Sequence, residues 1–131
     1  LVPHMVYHEV VVKGQGRDGS DEVQSADWIV IQDPLDTLAV RVLTVDLGKG
    51  ESAAIILAQE QSVDFLLIDE VRGRRIAQQL GLSVRGTLGI ISRAKREGII
   101  PSLKQVLDLL RARGTWIDDD LYHEALNLAG E

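Results

Sequence analysis

Between Gly50 and Asp69 two apolar blocks of different length and pattern follow one another. Ala53-Ala54-Ile55-Ile56-Leu57-Ala58 is apolar on nearly every side, which predicts a buried helix over residues 50–61. Phe65-Leu66-Leu67-Ile68 is short, continuous and apolar and stops at Asp69. That pattern predicts a strand buried on both faces of a parallel sheet. A buried helix feeding such a strand calls for layers on both sides of a sheet, hence an α/β class. The chain has 131 residues, room for a single domain with one core. Aromatic residues are only 4%, so that core is aliphatic.

The flanking segments extend the alternation. Pro3 suits a first helical position, and Val6, Val10 and Val12 predict a helix at the start. Gly14 to Gly19 reads as a loop, with Ser20 as the cap of a short polar turn reaching Ala26. Trp28-Ile29-Val30-Ile31 predicts a strand closed by Asp33-Pro34, while residues 35–46 fit helical and strand periods equally well. An Arg-rich helix over 71–80 stops at Gly81, and Leu82 to Arg85 predicts another short strand. Helices follow from Gly86-Thr87 to Gly98, from Pro101-Ser102 through Leu110, and from Asp119 to Ala129. The expected architecture is a parallel sheet flanked by helices, ending in a helical C-terminal region.

Charge is unevenly spread. Residues 1–69 carry a net charge of −8, residues 70–113 a net of +7 and residues 114–131 a net of −5, within an overall −6. A basic middle between acidic flanks offers a surface for a phosphate backbone. The plainer account is that these Arg and Lys side chains solvate the outer faces of helices. With no cysteine there is no disulfide framework, thiolate metal site or cysteine nucleophile. No apolar run is long enough for a membrane span and no basic segment leads an apolar one, so a cytoplasmic location is expected.

Two glycine-rich strings invite a phosphate-binding reading and fail it. Gly14-Gln15-Gly16-Arg17-Asp18-Gly19 has the spacing of a dinucleotide loop. Its lead-in is helical rather than extended, and Asp21 and Glu22 follow where phosphate would sit. Gly48-Lys49-Gly50-Glu51-Ser52 lacks the glycine spacing altogether. His4 and His8 stand four apart on a helical pattern but have no third ligand nearby, and His123 is isolated.

The acids are more informative. Glu51 opens the buried helix, and Asp69 ends the buried strand with Glu70 directly after it. Carboxyl ends of strands in open α/β sheets face the crevice where ligands bind. Carboxylates gathered there repel one another unless a cation such as Mg²⁺ or Mn²⁺ neutralises them, and such a site can cleave a phosphodiester. The alternative is that Glu51 serves the helix macrodipole and Asp69 is a strand-end or cap residue. Residue types and spacing leave both accounts standing.

Several strings in order carry a family resemblance: Val2-Pro3-His4-Met5-Val6-Tyr7-His8-Glu9-Val10, Gly50-Glu51-Ser52-Ala53-Ala54-Ile55 and Leu66-Leu67-Ile68-Asp69-Glu70, then Arg72-Gly73-Arg74-Arg75, Gly86-Thr87-Leu88-Gly89 and Ala94 to Pro101. Together they resemble the PIN-domain superfamily, in a prokaryotic subgroup akin to toxin-antitoxin ribonucleases. The resemblance covers the chain from Val2 onward. It implies a metal-dependent endoribonuclease acting on single-stranded RNA, with Mg²⁺ or Mn²⁺ as cofactor. It assigns Glu51 and Asp69 as catalytic and metal-binding acids, Glu70 as a further metal ligand and Glu9 as a supplementary acid. Arg72, Arg74, Arg75, Arg93, Lys95 and Arg96 would then face RNA phosphates.

Members of the family carry a strand ending in Asp, followed by a helix, ahead of the proline-valine segment. This chain opens at that segment. The expectation is a PIN-like domain over 1–131 without its N-terminal strand, with cleavage weakened by the loss of one ligand. The rival expectation is a non-catalytic module that dimerises or binds an antitoxin protein. An uncovered strand edge also predicts a homo-oligomer.

Overall fold

The computed structural model describes all residues, Leu1–Glu131, and the chain divides into two compact units, Leu1–Val84 and Arg85–Glu131. It is mostly helical with one small parallel sheet, an α/β-like arrangement with few strands.

The first unit opens with α1 (His4–Tyr7), which widens directly into a π-helical segment, His8–Val12. That widening shifts the inner face by about one residue. Val11 is buried while Val10 and Val12 are exposed, so the valine spacing read from the sequence selects the wrong partners. Gly14 follows where a Cβ would lie 2.1 Å from the Val10 carbonyl oxygen, a contact only glycine permits. Helix α2 (Ser20–Ser25) is short, six residues and under two turns. Ser20 is its first helical residue rather than its cap, and its buried hydroxyl donates to Val11 O at 3.3 Å.

The strand expected over Trp28–Ile31 does not form. Ile31 alone bridges Val2, in parallel, while Trp28 is 80% exposed. Residues 37–43, open to either period in the sequence, are helical: α3 (Thr37–Leu43) is capped by Asp36, whose side chain accepts the Ala39 N–H. Helix α4 (Lys49–Gln61) buries seven of its residues, and the Gly50-to-Gln61 pattern locates it to within one position.

Strand β1 (Leu66–Leu67) pairs with β2 (Val84–Arg85), beginning with Leu66 N–H to Ser83 O at 2.8 Å. Burial alternates along it: Leu66 and Ile68 are inside and Leu67 is 59% exposed. The expectation of two buried faces is therefore corrected, because a two-stranded sheet covered on one side leaves the other open. Helix α5 (Val71–Gln79) returns over the buried side. Its Gly73 passes so close that a Cβ there would stand 2.6 Å from Ile68 Cδ1. Ile55, Ala58, Leu66, Ile68 and Ala77 form the core of this unit, joined by Leu43 and Leu47 from α3 and the turn after it.

The second unit is three helices, α6 (Thr87–Arg96), α7 (Leu103–Ala112) and α8 (Asp119–Ala129). Ser102 and Asp118 cap the last two, which explains why the sequence fixes their starts. Leu103, Leu107, Tyr122, Ala125 and Leu126 make its core. The C-terminal Glu131 folds back to accept the N–H groups of Leu103 and Lys104, each at 2.9 Å.

Candidate functional site

The first unit holds a cleft of about 700 Å³ between the chain start, α4 and β1. Glu9, Glu51, Asp69 and Glu70 all line it, over walls that include Pro3, Val6, Leu57 and Phe65. Local chemistry explains each placement. Glu51 sits in the first turn of α4, where the positive end of the helix dipole favours a carboxylate. Its Oε2 lies 2.1 Å from where a Cβ on Gly48 would stand, so the side chain curls back over the helix start. Glu9 comes to the same end of α4, with Oε2 3.2 Å from the Cβ position of Gly50. Glycine at 48 and 50 thus keeps the helix start open to both acids.

Asp69 and Glu70 follow β1 directly, and the structure gives them different surroundings. Glu70 is the N-cap of α5: its carboxylate accepts the Arg72 N–H at 3.0 Å and the Gly73 N–H. Those backbone donors hold its carboxyl below the ordinary range, outweighing desolvation, with a smaller contribution from the Arg72 charge. Asp69 is exposed at the cleft edge, outside that cap.

The donor set suits a hard divalent cation in kind. The cleft offers carboxylate oxygens and neither sulfur nor imidazole, and Mg²⁺ characteristically binds through one or two carboxylates plus water and phosphate. It is not a preassembled cage, because no three His, Asp or Glu side chains come together as a metal-holding group. His4 is tied elsewhere, its Nδ1 paired with Asp33 Oδ2 at 2.9 Å.

The cations named from the sequence divide between the two units. Arg72, Arg74 and Arg75 lie on α5, exposed, immediately after the cleft acids. Arg72 makes an ion pair with Asp46, a partner 26 positions away that no local pattern announces. In the second unit, Arg93 pairs with Glu97 at 2.6 Å and Arg96 is exposed on α6. Lys95 is largely occupied with structure, bonded to Pro101 O and to Glu131 Oε1, each at 2.7 Å. The structure thus gathers the four acids around one cleft and sets three of the six cations next to them in the chain.

Comparison with known proteins adds one finding. The model of the family DUF3368, described as a PIN domain, matches residues 1–131. No curated protein and no solved structure matches the chain. Proteins with PIN domains generally use divalent metals, in keeping with the carboxylate donors of the cleft. The family match spans every element described above, and the chain belongs to the PIN-domain family.

Proposed function

We propose that this chain is a metal-dependent endoribonuclease of the PIN type, cutting single-stranded RNA at the cleft edged by Glu51 and Asp69. One observation carries the reading: four acids from three separate segments line a single cleft, and a run of exposed arginines follows at once on α5. Glu51 and Asp69 would hold Mg²⁺ or Mn²⁺, with Glu9 beside Glu51. Such an ion, when bound, activates a water and stabilises the leaving oxygen. Arg74 and Arg75 hold the RNA backbone by charge, and the apolar walls limit bulk water around the reacting phosphate. The likeness to toxin-antitoxin ribonucleases extends the proposal to a toxin-like role in the cytoplasm, restrained by an antitoxin protein.

The test is cleavage of a labelled single-stranded RNA by the purified chain with Mn²⁺ or Mg²⁺. Cutting that stops on chelation and is abolished by Asp69→Asn, with the circular-dichroism spectrum unchanged, supports the proposal. Cutting that survives both treatments overturns it. A second reading, a PIN-like binding module without chemistry, draws on the lack of any three converging metal ligands. RNA or protein binding with no cleavage under any divalent metal would favour that module.

A further inference from the structure

The open face of β1 runs straight into one of the cleft acids. Along residues 65–69 exposure alternates without a break: Phe65, Leu67 and Asp69 are exposed, Leu66 and Ile68 are buried. Side chains of an extended chain point to opposite faces in turn, so the three exposed residues form one row, each about 6.6 Å from the next. Ile68 packs with Ala77 of α5 on the other face. All three residues of the row line the cleft that also holds Glu9 and Glu51. A sheet face turned to water ordinarily carries polar side chains. Here the two positions ahead of the acid carry an aromatic ring, from the chain's only phenylalanine, and a leucine.

We infer that Phe65, extended by Leu67, is a platform on which a nucleobase of the RNA stacks beside the phosphate held at Asp69. The inference rests on the nuclease reading above and adds to it what holds the strand in place. Charge favours a base as the occupant. Four acids line the cleft and residues 1–69 carry a net charge of −8, so the sugar-phosphate backbone gains nothing there by charge alone. The exposed Arg74 and Arg75 come after Asp69 in the chain, on α5, and serve phosphates on that side. On the Phe65 side the strand needs an uncharged handle, and every base offers a flat π-face. The row is continuous, so a base on Phe65 belongs to a nucleotide close to the phosphate beside Asp69. Ring and leucine have no hydrogen-bonding groups to read base edges, so recognition by stacking tolerates any base identity. It also requires an unpaired strand, since bases inside a duplex cannot be laid on a side chain.

The test separates bases from charge. Binding of the full chain to a labelled single-stranded RNA is compared with binding to an oligomer of equal length and charge in which hydrogen replaces every base. Fluorescence anisotropy under Ca²⁺ reads affinity, and cleavage is followed separately under Mn²⁺. The parent chain should prefer the RNA by on the order of tenfold. Phe65→Leu, which keeps apolar bulk and loses the ring, should bring that ratio close to one with unchanged circular dichroism, and Phe65→Trp should keep it. Leu67→Thr, at the more exposed position, should lower the ratio by a smaller factor and stands in where Phe65→Leu unfolds. A parent chain that binds both oligomers alike overturns the inference, and so does a preference that survives in Phe65→Leu. Base-dependent binding that Phe65→Leu removes, with no cleavage under any divalent metal, supports the platform and removes the nuclease reading. Metal-dependent cleavage equally fast in the parent and in Phe65→Leu removes the platform and leaves the nuclease. A chain that binds no RNA overturns both.

Discussion

Glu70 and Gly73 are joined by a hydrogen bond from the Gly73 N–H to the Glu70 carboxylate, which pins the start of α5 two residues beyond the cleft acid Asp69. The two neighbouring acids should therefore respond differently to substitution. Glu70→Ala removes an N-cap and is expected to lower the thermal midpoint by a few degrees. Asp69→Asn should remove metal-dependent cleavage while the circular-dichroism spectrum still reports the folded chain. Differential scanning calorimetry of both variants, next to the RNA assay, checks the contrast.

Acid sensitivity should concentrate on Glu131. Its carboxyl is lowered to about 2 by the bond from Lys95 and by the N–H groups of Lys104 and Leu103, with burial opposing. Since the folded value lies below the ordinary one, its stabilisation is complete above the usual carboxylate range. It is lost as pH falls from about 4.5 toward 2. Thermal melts between pH 2 and 6 should show Glu131→Gln with a lower midpoint at pH 6 and a flatter acid limb than the parent chain.

Arg74 lies exposed on α5 and follows the cleft acids in the chain. Arg74→Ala should weaken single-stranded RNA binding and reduce the slope of log affinity against log salt by about 0.7, one phosphate contact on a single strand. Fluorescence anisotropy across a salt series reads both effects. An unchanged slope would place RNA elsewhere on the protein.

Packing in the first unit gives two graded expectations. Ile55 is fully buried, and Ile55→Ala should cost about 2–5 kcal/mol through lost burial and a residual cavity. Gly73→Ala adds a methyl 2.6 Å from Ile68 Cδ1, so the end of the Ile68 side chain must turn aside within the core, at about 1 kcal/mol. Urea titrations of the two variants check the values.

What could be read in advance tracks how local each signal is. Helix α8 occupies the span its sequence predicts, Asp119–Ala129, because Asp118 caps one end and Gly130 closes the other. Glu51, Asp69 and Glu70 stand where a helix begins or a strand stops, positions the sequence marks, whereas Glu9 lies inside the first helical stretch and is singled out only by the family resemblance. Helix α3 was not, since Val40 to Val45 satisfies both periods. The signal that decides it is Asp36, a capping residue three positions ahead of the Ala39 N–H it accepts. Trp28–Ile31 has strand composition, yet a strand exists only where a neighbour pairs with it, and only Val2 reaches Ile31. The π-helical turn at His8–Val12 and the Arg72–Asp46 pair depend on contacts that sequence spacing does not encode.

The Glu60 carboxylate, near the end of α4, accepts the backbone N–H of Leu35 at 2.9 Å and that of Asp36 at 2.8 Å. A two-turn helix on its own would spend most of its time frayed. These bonds tie the chain just ahead of α3 to a longer and deeply buried neighbour. Leu38 and Val42 are each 61% exposed, so whatever fixes α3 in place also fixes an apolar surface in contact with water.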